Sequence, residues 1–93
     1  MTGFLVELYV SQSDAAAVAH GAERTRLAAE ELTREGTPVR YLRSIFVPED
    51  ETCFFLYEAE SADAVREATR LAGLSSVRIT EALGARKEEK ACL

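Results

Sequence analysis

A chain of 93 residues is one folding unit, and 47% hydrophobic with 29% charged residues is a globular profile rather than a disordered one. Eleven Lys and Arg against sixteen Asp and Glu leave a net charge of −5, which argues against nucleic acid as a partner, because affinity for phosphate backbones rests on surplus cations. Apolar runs such as Phe54-Phe55-Leu56-Tyr57 fall far short of the roughly 20 residues that span a bilayer, and the opening Met1-Thr2-Gly3-Phe4 lacks the basic and apolar regions of a secretory signal, so a cytoplasmic protein with no membrane partner is expected.

Phe4 to Val10 has strand composition, with Phe4, Val6, Leu8 and Val10 on one face and Leu5, Glu7 and Tyr9 on the other. Ser11-Gln12-Ser13-Asp14 supplies capping hydroxyls and a carboxylate for a helix. From Asp14 to Glu35 there is no proline and alanine dominates; Gly36 stops the run and Thr37-Pro38 forbids its continuation. The inward stripe of this helix, Val18, Ala22, Thr25, Ala29 and Leu32 beside Ala17, Gly21 and Ala28, is small, which lets it lie close to a sheet.

Val39 to Val47 and Thr52 to Glu58 read as two strands of a hairpin turned by Pro48-Glu49-Asp50-Glu51. Pairing Val47 with Thr52 places Phe46 opposite Cys53, Ser44 opposite Phe55 and Leu42 opposite Tyr57 on the core face. Tyr41, Arg43, Ile45, Phe54, Leu56 and Glu58 then share the other face. Ser61 caps a second helix over Ala62 to Ala72, with Val65, Ala68 and Ala72 inward and Gly73 after its end. Val77 to Ala82 alternates as a fourth strand with Val77 and Ile79 inward. Residues 1–84 are expected to form the domain, and residues 85–93 a flexible charged tail. Two cysteines and one histidine are too few for a disulfide framework or a zinc site; Cys53 is expected to be a small buried hydrophobe and Cys92 to lie on the tail.

The order β-α-β-β-α-β is the ferredoxin-like α+β arrangement, a four-stranded antiparallel sheet with both helices on one face. The uncovered face would carry Leu5, Tyr9, Tyr41, Ile45, Phe54 and Leu56 among Glu7, Arg43, Glu58, Arg78 and Thr80. An apolar patch of that kind marks an interface, and the expected cover is a second copy, a homodimer through Leu5, Ile45, Phe54 and Leu56.

Four stretches, Phe4–Glu7, Val39–Cys53, Glu58–Ala68 and Arg70–Leu74, together resemble a family of short bacterial proteins of formerly unknown function, often labelled nickel-binding. The resemblance implies a ferredoxin-like fold, a dimer and a divalent-metal site, with Ni²⁺ as the cofactor. Members of that family commonly read His-Ser-Tyr where this chain has Arg43-Ser44-Ile45, and often carry His after Val-Arg-Glu where this chain has Ala68. Both imidazoles are missing here, and Arg43 would put a fixed positive charge where a cation would sit. Glu7 is retained as the one metal-ligand candidate, so the expected metal site is degenerate.

Glu7, Tyr9, Tyr41 and Arg43 are the candidate ligand-binding residues, with Arg43 expected to meet Glu7 or Glu58 either within the protomer or across the dimer axis. His20, alone on the first helix, reads as solvated, and Glu49-Asp50-Glu51 lacks the carbonyls and bidentate ligand of a calcium loop. No phosphate loop, metalloprotease helix or nucleophile motif is present, so no catalytic residue is assigned. The leading expectation is a non-enzymatic homodimeric binding module that holds a small molecule or metal ion near the sheet interface. The alternatives are a small dimeric α/β-barrel enzyme, a monooxygenase or isomerase, for which the chain offers no Trp, and a structural or regulatory dimer without a ligand.

Overall fold

The computed structural model describes residues 1–83; the expected charged tail and Cys92 lie outside the described residues. The elements follow in the expected order: β1 (Thr2–Tyr9), α1 (Ala15–Arg34), β2 (Val39–Val47), β3 (Thr52–Ala59), α2 (Ala62–Leu71) and β4 (Arg78–Ala82). The sheet order is β2-β3-β1-β4, every neighbouring pair antiparallel, so β1 and β3 are central. The core lies between one sheet face and the helices, built from Phe4, Val6, Cys53, Phe55 and Tyr57 of the sheet against Ala29 and Leu32 of α1 and Val65 and Ala68 of α2.

Both helices end as their glycines predict. Gly36 at φ 103° and Gly73 at φ 77° occupy the left-handed region, where a side chain is disfavoured. Past each glycine the next amide turns back onto the helix, Thr37 N–H to Leu32 O at 2.8 Å and Leu74 N–H to Thr69 O at 3.0 Å. The starts differ. The Ser61 hydroxyl accepts from Ala64 N–H at 3.3 Å, as expected, whereas Asp14 makes no side-chain cap and the hydroxyls of Ser11 and Ser13 bond each other at 3.0 Å.

The small stripe on α1 has the anticipated effect: a Cβ at Gly21 would sit 3.2 Å from the ring tip of Phe55, so this glycine sets how closely α1 approaches β3. Gly3 is tighter, because a Cβ there would lie 2.8 Å from the backbone oxygen of Ala82. Gly3→Ala must therefore push β4 aside and is expected to cost about 1–3 kcal/mol. Gly21→Ala should cost less, since alanine gains up to about 1 kcal/mol of helix propensity and meets only a movable ring edge. Urea unfolding of the two variants checks the ranking.

The hairpin register holds near its turn and fails farther away. Val47 pairs with Thr52, Phe46 with Cys53 and Ser44 with Phe55 as expected, but Tyr41 rather than Leu42 stands opposite Tyr57. Leu42 is an extra residue in β2, a bulge, and is 39% exposed. Two demands conflict within this strand. Phe46 and Ser44 face the core at one end, while at the other the Thr33 hydroxyl grips Val39, donating to its C=O at 2.9 Å and accepting from its N–H at 3.1 Å. The even-numbered and odd-numbered sets cannot share one face of a regular strand, so one residue leaves the ladder. Tyr41 thereby turns inward, its ring edge-on to Phe55 and to Tyr57 with centroids 6.1 Å apart in each pair. The expectation that Tyr41 lies on the open face and Leu42 in the core is corrected accordingly.

Tyr57 is fully buried and its hydroxyl has no hydrogen-bond partner among the described residues. Burial first, and the nearby Tyr41 second, push its pKa well above the ordinary value of 10. Above about pH 10 the unfolded chain releases this phenolic proton while the folded chain keeps it, so stability falls as pH rises. Tyr57→Phe is expected to remove that part of the alkaline decline and, at neutral pH, to be neutral or stabilising by up to about 1 kcal/mol, because it deletes an unpaired buried polar group. Unfolding curves at about pH 8 and about pH 11 compare the two proteins.

Candidate functional site

The uncovered face of the sheet is built by strand alternation opposite the core set. Two central rows run across it: Arg43, Leu56, Leu5 and Thr80, then Ile45, Phe54, Glu7 and Arg78. Leu5, Leu56 and Phe54 are half-buried, Ile45 is 44% exposed and Tyr9, farther along β1, is 70% exposed. Leu5, Ile45, Phe54 and Leu56 thus stand together as one apolar patch, with Glu7 at its border.

The charges divide differently from the sequence expectation. Glu58 forms an ion pair with Arg40 at 3.2 Å, not with Arg43. The bulge is the cause: beyond Leu42 the register shifts by one, so Arg40 falls directly opposite Glu58 while Arg43 falls opposite Leu56. Glu7 has Phe54 and Arg78 as its cross-strand neighbours, and neither Glu7 nor Arg43 makes an ion pair within the protomer among the described residues. The expected Arg43–Glu7 and Arg43–Glu58 contacts are therefore not formed inside one chain.

Glu7 and Tyr9 do come together. They line a shallow depression of about 240 Å³ at one end of the face with Asp50, Glu51, Thr52 and Arg78. Glu51 is held in the left-handed region at φ 49° and its Oε2 accepts Gln12 N–H at 3.0 Å, while the Thr52 hydroxyl donates to the carbonyl of Asp50 at 2.9 Å. Turn composition alone could not place these two acidic residues beside β1, because the contact depends on the β1–β3 pairing, which sets Thr52 opposite Tyr9 and lets Val10 N–H donate to Glu51 O at 3.0 Å. Arg43 does not reach this depression, and Tyr41 lies across the sheet from it. Tyr41 lines a groove of about 470 Å³ between α1 and the edge of β2, with Arg26, Ala29, Thr33 and Val39.

The donor set for a metal is sparse. No three His, Cys, Asp or Glu side chains are grouped to hold an ion among the described residues. His20 is exposed on α1, and Cys53 is fully buried with its thiol pushed up by desolvation, the opposite of what a thiolate ligand needs. Arg43 stands on the open face, whereas Ala68 is fully buried on α2 against the other face. The two positions that the sequence resemblance singles out are separated by the sheet within one protomer.

No helix among the described residues is long and apolar enough to cross a membrane. A family model described as "Nickel responsive protein SCO4226-like" matches residues 4–82, which takes in every strand and helix from Phe4 to Ala82. No curated protein and no solved structure matches the chain.

Proposed function

The chain belongs to this nickel-responsive family, and from that premise we propose that it is a small dimeric binding protein in which the metal site is degenerate. The observation that carries the dimer is the apolar patch of Leu5, Ile45, Phe54 and Leu56 on a sheet face that neither helix covers. Leaving such surface wet costs about 25 cal/mol per Å², and a two-fold partner presenting the same patch removes it from water.

The degenerate site rests on ligand chemistry. Ni²⁺ favours imidazole donors, and this face offers carboxylates instead: Glu7, with Asp50 and Glu51 beyond it. Arg78, in register with Glu7, sets a cation beside that carboxylate, which opposes binding of a second cation. The depression is thus suited to weak, exchangeable binding of a small polar molecule or ion at the edge of the dimer face.

Native mass spectrometry of untagged protein, with and without added Ni²⁺, tests both parts. The expected result is a dimer mass and no nickel retained after buffer exchange. A monomer mass at micromolar concentration would overturn the dimer, and one tightly held nickel per protomer, lost in Glu7→Ala, would overturn the degenerate site.

A further inference from the structure

The described part of the chain contains eight arginines, and six have a partner in the fold. Arg26, Arg34, Arg40, Arg66 and Arg70 form ion pairs with carboxylates, four of them with a residue three positions away on their own helix. Arg24 donates from Nε to the carbonyl of Ala72 at 2.9 Å. The two that have no ion pair or side-chain hydrogen bond among the described residues, Arg43 and Arg78, both stand on the open sheet face, as does Glu7, which likewise has no ion pair among the described residues.

These three are not equivalent. Arg78 has Glu7 as its cross-strand neighbour. Arg43 has Leu56, and beyond it Leu5, so it has no carboxylate in its own row. We infer that Arg43 of one copy pairs with Glu7 of the other across the dimer face, an inference that rests on the dimer proposed above.

Covering Leu56 and Leu5 with a second sheet also desolvates Arg43, and a guanidinium taken out of water without a counter-charge is costly. The strands of the partner sheet offer two carboxylates on this face, Glu58 and Glu7, while Asp50 and Glu51 lie in the turn at its end. Glu58 is held by Arg40, while Glu7 keeps its acceptor sites and has room for two donors. Sheets stack about 10 Å apart, within the combined reach of an arginine and a glutamate. Two-fold symmetry makes the contact twice, so the pair fixes how the two sheets are turned on each other, which apolar contacts alone leave loose.

Charge reversal tests this directly. Glu7→Arg and Arg43→Glu, each alone, should weaken the wild-type dimer at least about tenfold, since like charges then meet twice. Mixing the two variants should give heterodimer well above its statistical share, because every cross-chain contact in the heterodimer joins opposite charges. Native mass spectrometry of the mixture, with one variant isotopically labelled, reads the fraction, and circular dichroism confirms that each variant is folded. If either reversal prevents folding, Glu7→Gln and Arg43→Gln supply a double-mutant cycle on the dimer constant, with coupling expected between them. Random mixing, or additive effects in the cycle, while the wild type remains dimeric would overturn the cross-chain pair and leave the dimer standing. A monomeric wild type would remove both.

Discussion

Phe54→Glu is expected to leave the protein folded but monomeric. Phe54 lies on central strand β3, between Ile45 and Glu7 in register, and points away from the core. A carboxylate there loses the aromatic contact and faces the existing charge of Glu7, and symmetry imposes both penalties twice. A well-packed hot-spot residue at the centre of an interface is worth about 2 kcal/mol or more, so two copies should raise the dimer dissociation constant by at least about a hundredfold. Sedimentation or light scattering across a concentration series reads the change, and far-UV circular dichroism should stay the same because the core set on β3 is Cys53, Phe55 and Tyr57. An unaltered dimer constant would mean that the copies associate through another surface.

The second large effect falls on stability. Ala68 is fully buried where α2 meets the sheet, in contact with the cluster that holds Val65 and Phe55. Placing histidine there adds a ring to a close-packed site and buries polar nitrogens without partners. Overpacking costs about 1–3 kcal/mol and an unsatisfied polar group a similar amount, so Ala68→His should destabilise by roughly 3 kcal/mol. In a domain of this size that lowers the melting temperature by on the order of 15 °C. Arg43→His, on the open face, should change it little. Because the sheet separates the two positions, the double variant should bind Ni²⁺ no more tightly than Arg43→His alone. Calorimetric titration showing strong synergy between the two imidazoles would mean that the positions converge in a way a single protomer does not provide.

Much of this architecture is legible in the residues because it depends on local rules. Gly36 and Gly73 end helices by their backbone freedom, Ser61 begins one with its hydroxyl, and the alanine-rich stripe of α1 shows how near that helix can lie. The hairpin is legible only as far as its turn fixes the register. Period-two alternation carries no sign of a residue that drops out of the ladder, so Leu42 and Tyr41 exchange places, and the partner of Glu58 changes from Arg43 to Arg40 with them. The site is legible to the same extent. Glu7 and Tyr9 share a strand and stay together, whereas Asp50 and Glu51 arrive from a turn far away in sequence. The grip of Thr33 on Val39, which fixes one end of β2, is a tertiary contact with no local signature.

The bulge has a second consequence, at the margin of the sheet. β2 is an edge strand of nine residues, long enough to present a continuous row of unsatisfied amides and carbonyls to any other extended chain. Leu42 breaks that row near its middle and kinks the strand. Removing Leu42 would restore strict alternation from Val39 to Val47 without moving any other residue to a different face. The same deletion would straighten the edge into a template for strand addition. One leucine half out in water thus discourages open-ended growth along this edge of the sheet.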